Sequence, residues 1–183
     1  MASIVVAGDV SGTVTLSAPS TAGTTTLTLP TTSGTVLTSA SSQVTGPAFS
    51  AYLSATQSIT SGTFTKMQFN TEEYDTNNNY DTTNYRFTPT VAGYYQVNGR
   101  FDSTVASTLL ICTIYKNGSE SRRGVDTRAS LNAASGVNVS AVIYMNGTTD
   151  YLELYAYIAG TSPGIEGASP TTSYFQAFLA RVA

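Results

Sequence analysis

Histidine and tryptophan are absent from this 183-residue chain, cysteine occurs once, and only 10 % of the residues are charged. Without histidine, a Ser-His-Asp triad, a Cys-His pair and most zinc-ligand sets are excluded. The lone Cys112 excludes a disulfide framework within the chain. It lies in the apolar run LLICTIY, residues 109–115, where cysteine packs as a small hydrophobe. No Gly-rich strand-turn-helix phosphate loop is present. From Val10 to Thr65 the chain runs 56 residues without Asp, Glu, Lys or Arg. Soluble domains carry about a quarter charged residues, so this surface relies on hydroxyls and amides or is covered by a partner. A net charge of −3 leaves no footprint for nucleic acid or an anionic membrane, and the pair Arg122–Arg123 is too short to make one. No stretch approaches the ~20 apolar residues of a membrane helix, so no membrane insertion is expected. The start MASIVVAGDV has no basic opening, and Ile4–Ala7 is too short for a signal core. Synthesis in a cytoplasm, without general secretory export, is therefore expected.

Residues 1–45 form one compositional unit of Thr, Ser, Gly, Ala and Val. Thr and Val suit a pleated backbone, while Pro30 and the Gly-Thr pairs forbid a long helix. Thr13–Leu16, Thr26–Leu29 and Thr35–Thr38 read as three related β-strings separated by turns. In the second, Leu27 and Leu29 share one face and Thr26 and Thr28 the other. A strand of that kind is marginal alone. The arm is thus either disordered or folded against copies of itself or a scaffold. Ile4, Val5 and Val6 are the residues expected to anchor it.

From Gly46 aromatics become frequent, and all twelve Tyr and seven Phe lie at or beyond Phe49. Alternating patterns predict strands at 47–55, 63–70, 84–89, 93–102, 107–116, 137–145, 149–159 and 173–182, with a further strand over Arg122–Leu131. Asn77-Asn78-Asn79, Asn117-Gly118, Asn146-Gly147 and Pro163-Gly164 supply turn chemistry. With no sustained helical period, residues 46–183 read as an all-β sandwich or barrel. Two strands are apolar on both faces. Leu109, Ile111 and Tyr115 oppose Leu110, Cys112 and Ile114; Tyr151, Tyr155 and Tyr157 oppose Leu152, Leu154, Ala156 and Ile158. One sheet face suffices for a core, so Leu109, Ile111, Tyr115, Tyr151, Tyr155 and Tyr157 are expected at an interface between copies.

The order of aromatics and turns is specific. Phe49-Ser50-Ala51, Phe69-Asn70, Tyr80-Asp81, Phe87-Thr88-Pro89, Gly93-Tyr94-Tyr95, Lys116-Asn117-Gly118 and Tyr174-Phe175-Gln176-Ala177-Phe178-Leu179 follow in series. The series resembles the complement-q globular head, which shares its jelly roll with tumour necrosis factor. The resemblance covers about residues 47–182 and implies a jelly-roll β-sandwich knob that forms a homotrimer. It implies structural roles for Phe87, Pro89, Gly93, Tyr95, Phe175 and Phe178, with Pro89 ending a strand and Gly93 permitting a close turn. The segment SGTVTLSAPSTAGTTTLTLPTTSGTV in turn resembles Thr-rich repeats of bacteriophage tail-fibre and virion proteins. Together they imply a stalk-and-knob virion fibre, held to other virion proteins through residues 1–45 and directed at a host glycan or protein. A capsid decoration or cement protein, and a bacterial surface adhesin, are the alternatives.

The loop TEEYDTNNNYD is the candidate ligand-binding element, through Tyr74, Asp75, Asn77, Asn78, Asn79 and Tyr80. Its two tyrosines suit stacking on sugar rings. Its oxygens suit calcium, but the spacing departs from the calcium-hand pattern, and no metal or cofactor is assigned. Asp81 reads as a turn-capping carboxylate. Four of the eleven acids, Glu72, Glu73, Asp75 and Asp81, crowd this loop. Exposed carboxylates there have little cause for a raised pKa, so the chain is read as non-catalytic.

Overall fold

The computed structural model describes residues 3–7, 13–17, 21, 23, 46–128 and 135–183. The chain divides into two compact units, Met1–Ser42 and Gln43–Ala183. In the first, β1 (Ser3–Ala7) and β2 (Thr13–Ser17) pair antiparallel, with Ser3 opposite Ser17 and Ala7 opposite Thr13. The expected β-string Thr13–Leu16 thus lies in β2, and Ile4, Val5 and Val6, expected to anchor the arm, lie in β1. The strings Thr26–Leu29 and Thr35–Thr38 lie outside the described residues.

The second unit is built from β3 (Ala48–Tyr52), β4 (Gln57–Ser58), β5 (Thr65–Lys66), β6 (Thr71–Asp75), β7 (Tyr80–Asp81), β8 (Arg86–Phe87), β9 (Gly93–Asp102) and β10 (Ser107–Lys116). It continues with β11 (Ser119–Thr127), β12 (Gly136–Met145), β13 (Leu152–Gly160), β14 (Gly164–Ile165) and β15 (Tyr174–Val182). One sheet has the order β12-β9-β15-β3-β6; the other has β11-β10-β13-β8-β7, with β5 also pairing β13. All pairings are antiparallel. A short β4–β14 ladder stands apart. This is a jelly-roll sandwich.

Side-chain parity explains the core. In β9 the odd positions Tyr95, Val97 and Phe101 are buried, while Gln96, Asn98 and Arg100 face outward. Leu110, Cys112 and Ile114 of β10, with Leu152, Leu154, Ala156 and Ile158 of β13, meet them from the opposite sheet. Phe49 centres an aromatic cluster, stacked on Phe87 at 4.5 Å and Tyr80 at 4.7 Å and meeting Phe175 edge-on at 5.0 Å. Burial pushes up the Tyr95 hydroxyl to about 12, and it donates to the Val91 carbonyl at 2.8 Å. Burial likewise raises the Cys112 thiol far above its ordinary range, which makes it inert.

Three expectations need correction. Phe178 is 48 % exposed rather than part of the core. Phe175 and Phe178 are three residues apart on one strand, so they point to opposite faces. Gly93 opens β9 and is not at a turn; a Cβ there would run into the Arg181 carbonyl and the Leu179 side chain of the adjacent β15. Close approach, not backbone conformation, is what demands glycine. Finally, the first half of the expected 72–81 loop is strand β6, which pairs with β3.

Charge gathers on outlying strands. Glu72, Glu73 and Asp75 lie on β6, which ends one sheet, and Glu120, Arg122, Arg123 and Asp126 lie on β11, which ends the other. Arg123 and Glu120 pair at 2.8 Å.

Candidate functional site

The 71–81 segment is positioned by its own side chains. The Asp75 carboxylate accepts from the amides of Asn77 at 3.2 Å and Tyr80 at 2.7 Å, closing the turn. Asn78 takes a left-handed conformation, φ 53°, which asparagine tolerates. Asn79 is buried, and its Oδ1 accepts from the Thr90 amide and hydroxyl. Tyr80 is also buried and donates its hydroxyl to the Phe69 carbonyl at 2.9 Å. Burial, then the Glu72 and Asp81 carboxylates, push its pKa far up. Of the six expected ligand residues, Asp75, Asn79 and Tyr80 are therefore committed to the fold. Tyr74, Asn77 and Asn78 remain exposed. Asp81 caps the next turn, accepting from the Thr83 and Asn84 amides and the Asn84 side chain, as expected. The Asn84 bonds hold its carboxyl below the usual range.

The outer face of β10 and β13 is not the bare surface that its composition suggested. Ile111 is buried, and Leu109, Tyr115, Tyr151, Tyr155 and Tyr157 are half-buried in the single chain. The cover comes from the segment that holds β5. Phe64 meets Tyr157 at 5.1 Å and Tyr115 at 6.4 Å, and Tyr115 stacks on Tyr155 at 3.9 Å. Arg123 lies over Phe64 and Arg86 over Tyr151. Glu153, 3 % exposed, pairs with Lys66 at 3.0 Å and lies 3.7 Å from Arg86. The chain itself meets much of the demand that these strands make, which buries Ile111 and leaves the other five residues partly exposed.

The open apolar surface is on the other sheet. Of seven exposed large apolar side chains among the described residues, all but Val125 lie on strands of the five-stranded sheet: Tyr74, Tyr94, Val142, Tyr144, Phe178 and Val182. Tyr94 and Tyr144 are cross-strand partners with ring centres 5.5 Å apart. Phe178 sits opposite Gln96, which sits opposite Val142, so one row crosses three strands. Tyr94, Val142 and the 180–183 tail line a shallow open groove there. The next row is uncharged and polar: Gln96 donates to Asn98 and Ser140, and Ser140 to Asn98 at 2.8 Å. Sequence reasoning missed this face because each strand contributes only one or two apolar residues to it.

Comparison with known proteins places this geometry. The C1q domain family matches residues 48–180. The globular domain of zebrafish complement 1qA is similar at 17 % identity and a TM-score of 0.56, over 75 % of this chain and 99 % of that one. Eiger TNF from S. frugiperda is similar at 9 % identity and a TM-score of 0.58, over 75 % and 95 %. PRD1 vertex protein P5 is similar at 17 % identity and a TM-score of 0.54, over 75 % and 99 %. No curated protein matches in sequence. The fold is thus a C1q/TNF-like jelly-roll head, an architecture of structural and binding modules. The chain belongs to the C1q domain family.

Proposed function

We propose that this chain is a virion surface protein that assembles as a homotrimer, is held to other virion proteins through residues 1–45, and presents residues 46–183 as a non-catalytic knob to the host surface. The observation that carries the reading is the apolar end of the five-stranded sheet's outer face, where Tyr94, Val142, Tyr144 and Phe178 stand exposed beside an uncharged amide row. Contiguous exposed apolar surface rimmed by polar groups marks an interaction site, and tyrosine and phenylalanine are enriched there. The Thr-rich arm, similar to tail-fibre repeats, supports the virion context, as does likeness to a vertex protein.

Light scattering under native conditions tests the assembly: three times the 19.1 kDa chain mass is expected, and a monomer would overturn it. Particles lacking the protein test the role: lost adsorption to host cells is the expected result. The likeness to a vertex protein also favours a second reading, a shell-decorating protein. Normal adsorption with lost resistance to heat would establish that reading instead.

A further inference from the structure

A cleft of about 320 Å³ that shares no lining residue with the apolar groove lies between the β3–β4 connection, residues 68–70 and the β7–β8 turn. Thr56, Gln57, Ser58, Gln68, Asn70 and Tyr85 line it, and no charged side chain does. Its walls are fixed from behind. The Gln57 side chain donates to the Lys66 carbonyl and accepts from the Gln68 amide, both at 2.9 Å. The Asn70 side chain accepts from the Ser54 amide at 3.0 Å and donates to the Ser54 hydroxyl at 2.9 Å. These bonds leave the exposed Gln68 side-chain amide, the exposed hydroxyls of Thr56 and Ser58 and the half-buried Tyr85 phenol without a hydrogen-bond partner among the described residues. Tyr85 is held at φ 55°, a conformation that a bulky side chain rarely adopts and that surrounding structure must enforce. No other ring stacks on it among the described residues.

Each unused hydroxyl is both donor and acceptor, and the Gln68 side-chain amide offers two N–H donors and a carbonyl acceptor. A sugar hydroxyl has the same dual character, and the apolar face of a pyranose packs on an aromatic ring. With no cation in the lining, nothing there would offset a sialic acid, sulfate or phosphate. We infer that this cleft binds one neutral pyranose unit of a host-surface polysaccharide, with Tyr85 as the stacking platform and Gln68 as the main hydrogen-bonding arm. The inference rests on the host-binding reading and gives it a ligand class and a site distinct from the 71–81 loop.

The test uses the full chain, an array of immobilised neutral and acidic glycans, and host cells. Tyr85→Asn removes the ring, yet asparagine tolerates positive φ, so its melting temperature should stay within a few degrees of the parent. Binding to a neutral glycan that falls at least tenfold in both Tyr85→Asn and Gln68→Ala supports the inference. Retention of binding only to acidic glycans, equal binding by parent and both variants, or no array binding at all would overturn it. So would cell adsorption abolished by protease but untouched by periodate, which points to a protein receptor. If parent chain binds a neutral glycan through the cleft yet does not adsorb to host cells, the host-binding reading alone fails.

Discussion

The Tyr80 hydroxyl reaches the Phe69 carbonyl inside the aromatic cluster, so its loss strands a buried acceptor. Tyr80→Phe is expected to cost about 1–2 kcal/mol, read as a lower denaturant midpoint at unchanged slope. Asp150 carries a pH-dependent contribution. Burial pushes its carboxyl up, but bonds from Lys116, Asn117 and the Asn146 amide outweigh this and hold it below the usual range. A depressed carboxyl stabilises the fold above its unfolded value, near 3.8, and that stability is lost as pH falls through the folded value. Asp150→Asn should therefore lower the melting temperature most at pH 6 and progressively less toward pH 3. The residue scale also shows where sequence reading succeeds. Asp81, followed by Thr82, Thr83 and Asn84, announces a capped turn on local chemistry alone, and the turn is there. Asn79 and Tyr80 sit in an equally polar string, but their burial depends on Thr90 and Phe69, which no local pattern connects to them.

At the scale of elements, the long alternating strands β9, β10, β12, β13 and β15 were readable to within a few residues, because each keeps an unbroken apolar face. The edge strand β6 was not, since TEEYD has no such face and is held by backbone pairing with β3. The expected strand Arg122–Leu131 is β11, displaced to Ser119–Thr127; residues 129–134 lie outside those described. The two-sided composition of β10 and β13 was legible, but not the chain's own Phe64 and Lys66 laid across it. Phe178 keeps the spacing of the family's closing motif, yet three residues along a strand from buried Phe175 its side chain must face the opposite way. For the β9–β15 junction, Gly93→Val should destabilise by about 1–3 kcal/mol as the strands are forced apart at the Arg181 carbonyl. Thermal unfolding with amide exchange on Arg181–Ala183 checks it; a parental melting curve would refute the close approach.

For the whole molecule, assembly is expected to depend on the five-stranded sheet rather than on β10 and β13. Phe178→Ser, at a site already 48 % exposed, should leave far-ultraviolet dichroism unchanged while light scattering falls to the mass of one chain. Tyr157→Ser, on the self-covered face, should lower the melting temperature and leave the mass unchanged. The reverse pattern would return the interface to the position first expected from sequence. The placement of charge on β6 and β11 has its own consequence. A sheet border with free amides and carbonyls is a template for strand addition by another chain, and charged side chains along it oppose that pairing. The ionic groups of β6 and β11 thus guard one border of each sheet against pairing with another copy, whereas the uncharged β12 leaves the opposite border of the five-stranded sheet without that guard.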